Sequence, residues 1–167
     1  MNKLITIPTV ISSLRVVVLP FFFYFYNIGS IALCLIAFVF AAATDLFDGY
    51  SARKLKVASR FGAYYDAATD FAIIIGIYSL FAVKGFYPIW LLILIIAAFA
   101  QFLATSRYSK KIYDPVGRFI GSALYIGIVL TLVLHGEATF VFVQYAFAVF
   151  FVVSIVSRII SIGKKRS

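Results

Sequence analysis

Residues 61–83 of this chain read FGAYYDAATDFAIIIGIYSLFAV, a hydrophobic segment with two aspartates in its first half. Its uninterrupted apolar run, Phe71–Val83, is shorter than the roughly 20 residues that a helix needs to cross the hydrocarbon core of a bilayer. A helix that crosses here must therefore carry Asp66 and Asp70 into the membrane. Charged groups at that depth are costly and usually mark a functional site.

The composition of the whole chain agrees with a membrane environment. Of its 167 residues, 64% are hydrophobic and only 13% are charged, and the mean hydropathy is +1.07. These values exclude an ordinary soluble globular protein. Cys34 is the only cysteine, which excludes an internal disulfide and makes a thiolate metal site very unfavourable. Because no polar stretch is long enough for a separate soluble domain, residues 1–167 are predicted to form one transmembrane domain.

Polar and turn-forming residues divide the chain into six hydrophobic segments. The pattern predicts an all-α, polytopic membrane protein with six transmembrane helices. The segments are 8–27, 30–52, 61–83, 86–107, 117–134 and 139–160. An even number of crossings would place both termini on the same side of the membrane.

The lysines and arginines indicate which side that is. With this division, Lys84 is the one basic residue on the face opposite the termini, and the other basic residues of the 15 lie on the face that bears them. Positive residues favour the cytosolic side, so both termini are predicted to be cytosolic in the cell membrane. The same bias accounts for most of the net charge of +9, so no nucleic-acid partner is expected. The basic tail, residues 164–166, is expected to contact anionic membrane lipids.

Four of the six acidic residues lie in one window, at Asp45, Asp48, Asp66 and Asp70. The first two are three residues apart on one predicted helix and the last two are four apart on the next, so each pair projects from one helical face. Both pairs lie near the cytosolic ends of their helices. Together with Arg15 of the first helix, they are expected to line a polar chamber in the inner leaflet.

Four ionised carboxylates at one point would repel one another unless cations neutralise them. An all-carboxylate shell favours hard ions, with Mg²⁺ first and Mn²⁺ or Ca²⁺ as substitutes. Mg²⁺ readily binds carboxylate oxygens and phosphate oxygens at the same time. The expected ligand of the metal ions and their aspartates is therefore a pyrophosphate. The alternative is a structural belt of salt bridges to Arg53, Lys56 and Arg60.

The residues between the aspartates point to a family. From Asp45 to Asp70 the chain follows the pattern D-x2-D-G-x2-A-R-x8-G-x3-D-x3-D. This resembles the signature of the CDP-alcohol phosphatidyltransferase family at all specified positions. The upstream stretch PTVISSLR, residues 8–15, is similar to the family's opening P-N-x-L-T-x-x-R, with Thr9 in place of asparagine.

The resemblance implies an enzyme with six helices that transfers a phosphatidyl-type or archaetidyl-type group from a CDP-activated lipid to a small polar alcohol, releasing CMP. It implies two bound Mg²⁺ ions with Asp45, Asp48 and Asp66 as principal ligands. Asp70 would contribute to metal binding and act as the catalytic base. The CDP-binding residues would be Gly49, Ala52, Arg53 and Gly62. Independently of the family, the lack of bulk at Gly49 and Ala52 would let a ligand approach the backbone, or another helix pack closely.

The acceptor site is predicted from basic residues on the cytosolic face, namely Arg107, Lys110, Lys111 and Arg118. Topology alone could explain their positions. The stretch from Pro115 to Arg118 nevertheless resembles the P-x-G-K of phosphatidylglycerophosphate-synthase-like members. A phosphorylated acceptor, glycerol 3-phosphate or an inositol phosphate, is therefore expected.

Two other classes of protein use carboxylates within the membrane. A cation transporter is the main alternative, although six short helices without an internal repeat argue against it. An intramembrane prenyltransferase also binds Mg²⁺ and pyrophosphate, but it needs two separated aspartate-rich motifs and a longer chain. The oligomeric state is open, and a homodimer is one option.

Overall fold

The computed structural model describes the backbone of residues 3–54, 60–108 and 119–163, and the side chains of 15–44, 64–104, 119–157 and 159. These residues form six helices: α1 (Lys3–Asn27), α2 (Ile31–Lys54), α3 (Arg60–Val83), α4 (Ile89–Tyr108), α5 (Ile120–Val133) and α6 (Glu137–Gly163). The described ranges contain no strand. The prediction of an all-α chain with six helices is confirmed, and the predicted segment ends differ from the observed ones by a few residues.

The helices expose many large apolar side chains. Phe21, Phe40, Ile93, Phe142 and Val149 are each more than half exposed. Such a surface is stable only in an apolar solvent, as expected of a membrane protein.

In the part of the chain whose side chains are described, two apolar stretches are long enough to cross a bilayer, Tyr64–Val83 in α3 and Glu137–Ser157 in α6. Within the described residues, the apolar stretches of α2, α4 and α5 are shorter. The number of crossings and the cytosolic termini therefore stay predictions.

A glycine turn joins α1 to α2. Gly29 has a φ of +74°, a conformation that a residue with a Cβ rarely adopts. The Gly29 N–H donates to the Tyr26 carbonyl, and the Ser30 N–H donates to the Phe25 carbonyl, both at 3.0 Å. These are the two hydrogen bonds of the Schellman motif, which ends a helix at a left-handed residue. The predicted boundary between the first two helices is thus confirmed.

The same motif ends α3. Gly85 has a φ of +82°, its N–H donates to the Ala82 carbonyl, and the Phe86 N–H donates to the Phe81 carbonyl. The rings of Phe81 and Phe86 lie 5.9 Å apart between centroids, which supplies the apolar contact that commonly accompanies this motif. The sequence boundary at Lys84 and Gly85 is confirmed.

The chain divides into two compact units, Met1–Ile77 and Tyr78–Ser167. In the first unit α1 packs along α2, and Phe22, Cys34 and Phe38 are buried. The Cys34 Sγ lies 3.8 Å from the Phe22 carbonyl oxygen, so the lone cysteine serves as a small core residue. The single domain predicted for the whole chain stays a prediction.

In the second unit, α6 packs against both α5 and α4, and buried aromatic rings lie beside α5. Tyr78 and Tyr87 are almost fully buried, with ring centroids 5.5 Å apart. The Tyr78 hydroxyl donates to the Leu124 carbonyl at 3.1 Å. Thr131 donates its one hydroxyl proton to the Gly127 carbonyl, so Tyr87 is the donor in its hydrogen bond with Thr131.

Gly127 offers a test of this packing. A Cβ at Gly127 would overlap the Tyr78 hydroxyl and lie 3.0 Å from Val143 Cγ1, whereas a Cβ at Gly121 on the same helix would meet nothing within 4 Å. We expect Gly127→Ala to destabilise the protein by about 1–3 kcal/mol, because the hydrogen-bonded tyrosine cannot move aside freely. Gly121→Ala is the matched control and should be neutral. Thermal unfolding in detergent would measure both, and equal melting temperatures for the two variants would contradict this account of the core.

Candidate active site

Arg15 of α1 is completely buried. Its Nη1 atom lies 2.9 Å from Asp66 Oδ1 and 2.9 Å from Asp70 Oδ1, and it donates a hydrogen bond to Asp70. One guanidinium nitrogen on α1 thus contacts both carboxylates of α3. A buried guanidinium needs anionic partners, and these two aspartates supply them.

Asp66 and Asp70 lie one helical turn apart on α3. Their side chains are 35% and 29% exposed, compared with 0% for Arg15. The site therefore has a buried cation behind two carboxylates that remain accessible. A metal ion or a polar substrate could reach them from the accessible side.

A close approach between α1 and α3 lies beside this charged contact. A Cβ added to Gly76 would lie 3.0 Å from Leu19 Cδ2, and Leu19 follows Arg15 by one turn. The contacts advance in the same chain direction on both helices, so α1 and α3 run parallel. The absence of a side chain at Gly76 leaves room for Leu19 next to the ion pairs.

The structure identifies Arg15 as an ionic partner of Asp66 and Asp70, a pairing that the sequence pattern does not predict. The sequence predicts Arg15 in the same polar chamber, whereas the alternative belt of salt bridges pairs the aspartates with Arg53, Lys56 and Arg60. The side chains of those three residues lie outside the described ones. One signal could have pointed to Arg15: it immediately precedes the apolar run Val16–Tyr26, where an arginine needs an acidic partner on a neighbouring helix.

For some of the other predicted site residues the structure describes the backbone alone, and the rest lie outside the described residues. Asp45, Asp48, Gly49, Ala52 and Arg53 lie in the last turns of α2. Their side chains lie outside the described ones, so the convergence of four carboxylates stays a prediction, as does the nucleotide site.

The residues of the predicted acceptor site and Gly62 likewise lie outside those whose side chains are described. Gly62 lies in the first turn of α3 and Arg107 near the end of α4, and neither side chain is among those described. Lys110, Lys111 and Arg118 lie outside the described residues. Their roles stay predictions.

The described part of the site suits a hard cation. Two carboxylates one turn apart offer oxygen ligands, which Mg²⁺ and Mn²⁺ prefer. Among the side chains that the structure describes, no group of three or more histidine, cysteine, aspartate or glutamate residues could hold a metal ion. A complete metal site would therefore need the α2 aspartates, as the sequence predicts.

Comparison with known proteins adds the identity of the family. The sequence model of the CDP-alcohol phosphatidyltransferase family matches residues 5–160. The chain is 43% identical over 89 residues to the CDP-diacylglycerol–glycerol-3-phosphate 3-phosphatidyltransferase of Yersinia enterocolitica, over 52% of this chain and 48% of that protein. The protein of the same name from Yersinia pestis is 48% identical over 69 residues, which cover 40% of this chain and 38% of the relative. The one from Pectobacterium atrosepticum is 46% identical over 67 residues, or 38% and 37%.

The chain thus aligns with about half or less of the length of these curated relatives. No solved structure matches it significantly. The family match itself, however, extends over nearly the whole chain and includes Arg15, all four motif aspartates and the greater part of every helix. The chain therefore belongs to the CDP-alcohol phosphatidyltransferase family.

Proposed function

We propose that this protein is a membrane enzyme that transfers a phosphatidyl group from CDP-diacylglycerol to the hydroxyl of glycerol 3-phosphate and releases CMP. Membership of the family supports the type of reaction, and the names of the three relatives support both substrates. The structural observation that carries the proposal is the pair Asp66 and Asp70. They form the second half of the motif, remain accessible, and share one buried arginine nitrogen.

The reaction requires one bond to form and one to break at phosphorus. The acceptor hydroxyl oxygen bonds to the phosphorus that carries the diacylglycerol, and the bond from this phosphorus to the bridging oxygen of the pyrophosphate breaks. CMP leaves with the electron pair of that bond. In this proposal the Asp70 carboxylate takes the proton of the hydroxyl. No covalent intermediate with the protein is needed.

Divalent metal ions are part of the proposal, because members of this family depend on them. We assign Asp45, Asp48 and Asp66 as principal ligands of two Mg²⁺ ions, with Asp70 contributing and Mn²⁺ as a substitute. When bound, the ions would neutralise the charge of the departing CMP and polarise the phosphorus.

The remaining motif residues would orient the nucleotide. Gly49 and Ala52 would leave room for CDP beside α2, with Gly62 at the start of α3 nearby. Arg53 would donate planar hydrogen bonds to a phosphate.

A separate basic group would bind the acceptor. Arg107, Lys110, Lys111 and Arg118 carry positive charge on the predicted cytosolic face. Glycerol 3-phosphate has a phosphate that such residues can bind, whereas serine and choline have none. The names of the relatives favour glycerol 3-phosphate over an inositol phosphate.

We also propose that all six helices cross the cell membrane, that residues 1–167 form one domain, and that both termini face the cytosol. The strong bias of basic residues toward one face supports this orientation. The site would then open to the cytosol.

Release of CMP by the purified protein in mixed micelles tests the proposed reaction. With CDP-diacylglycerol and Mg²⁺ present, we expect CMP only when glycerol 3-phosphate is added, and little with inositol phosphate, serine or choline.

Excess chelator should abolish release, and Mg²⁺ or Mn²⁺ should restore it, because the carboxylates must be neutralised before a pyrophosphate can bind. Turnover in chelator would contradict the metal role. Absence of CMP with every acceptor, together with cation flux in vesicles, would favour the transporter.

Replacement of the α3 carboxylates tests their role in catalysis. We expect Asp66→Asn and Asp70→Asn each to reduce turnover by roughly 10²–10⁴-fold, since each removes a metal ligand and the second also removes the base. Glu137→Gln is the matched control, because it makes the same chemical change at the first residue of α6 and should retain activity. Near-normal turnover in both aspartate variants would show that the two carboxylates serve only as structural ion pairs.

Labelling of single cysteines tests the topology in a Cys34→Ala background, which removes the native thiol. Lys54→Cys and Lys110→Cys should react with a membrane-impermeant maleimide only from the cytosolic side. Glu137→Cys should react only from outside, since basic residues are retained on the cytosolic face. Labelling of all three positions from one side would rule out this arrangement of helices.

A further inference from the structure

Arg15 has no role in the reaction proposed above, although it belongs to the upstream motif. It is completely buried, and the same nitrogen, Nη1, lies 2.9 Å from one oxygen of Asp66 and one of Asp70. An arginine in this position does more than anchor a helix at the membrane surface. It contacts two carboxylates that the motif assigns to metal binding.

We propose that Arg15 is the built-in counter-ion of the α3 carboxylates: it holds Asp66 and Asp70 together before a metal binds, and it lowers the affinity of the site for that metal. The second half of this inference rests on the proposed function, because it requires the site to bind divalent ions. The first half rests on the contacts alone.

The first half follows from the charges within the α1–α3 contact. Two carboxylates that reach the same nitrogen lie close to each other and repel, and repulsion is stronger in a partly desolvated site than in water. The guanidinium offsets this repulsion with one positive charge on the buried side. In the metal-free protein, the guanidinium can therefore hold both side chains in place.

The lowered affinity for metal follows from the position of the positive charge of Arg15. A metal ion bound to Asp66 and Asp70 would lie within several ångströms of the guanidinium, since both cations share the same carboxylates. The two positive charges repel each other. The carboxylates would hold the metal less tightly than an equivalent pair without an arginine, and the metal would exchange more readily.

Thermal unfolding with and without metal separates this role from simple packing. Arg15→Met keeps much of the side-chain length but removes the charge. We expect it to lower the melting temperature strongly in chelator and much less in saturating Mn²⁺, so the stabilisation by metal becomes larger than in the wild type. Arg15→Lys keeps the charge and should behave more like the wild type. Lys84→Met, which removes one positive charge just beyond the other end of α3, is the matched control for net charge and should leave the stabilisation by Mn²⁺ unchanged.

A role in packing alone predicts a different result. Arg15→Met would then lower the melting temperature by the same amount with and without Mn²⁺, and this outcome would overturn the proposal.

Mn²⁺ binding followed by electron paramagnetic resonance gives a second readout that does not depend on catalysis. We expect Arg15→Met to bind Mn²⁺ about tenfold more tightly or better, because a repelling charge several ångströms away has been removed. Equal or weaker binding would overturn the competition between arginine and metal.

A double variant covers the case in which Arg15→Met does not fold. Arg15→Met combined with Asp70→Asn removes one charge of each sign, so the metal-free protein should recover much of the lost stability. No recovery would overturn the counter-ion role. If the wild type binds no Mn²⁺, the metal site of the proposed function fails, and the stability of the double variant in chelator still decides whether Arg15 is the counter-ion.

Discussion

The site depends on one ionic contact, between the buried guanidinium of Arg15 and the carboxylates of Asp66 and Asp70. A charge inside a membrane protein must be compensated, and this contact compensates the arginine with two residues from another helix. It also joins α1 to α3 at the level of the motif. The accessible carboxylates thus lie on a helix whose position relative to α1 is fixed by charge and, beside it, by the fit of Leu19 against Gly76.

The contact explains how acidic residues can be tolerated in so apolar a chain. Asp66 and Asp70 precede the long apolar run of α3 and are only partly exposed. Without a cation they would repel each other in a poorly solvated site. Arg15 provides that cation in the protein itself, and the proposed metal ions would provide further positive charge during the reaction. The chemistry of the site and the stability of the helix pair then rest on the same side chains.

Much of the fold could be predicted from sequence because its signals are local. Gly29 and Gly85 end helices through their own backbone conformation, which no other residue adopts as easily. The four-residue spacing of Asp66 and Asp70 likewise placed both on one face of α3. The spacing could not predict which cation contacts that face, because this depends on the orientation of α1 about its own axis relative to α3. The place of Gly127 beside the Tyr78 hydroxyl depends in the same way on tertiary packing.

We propose that the carboxylates of α2 and α3 together hold the metal ions that serve phosphatidyl transfer. Crystals grown with Mn²⁺ and CDP-diacylglycerol, measured at the manganese absorption edge, would locate those ions directly. We expect two anomalous peaks about 3.5–4 Å apart, bounded by Asp45, Asp48, Asp66 and Asp70 and next to the pyrophosphate. A lipid-bound structure with no peak at these carboxylates, or with the manganese held elsewhere in the chain, would contradict it.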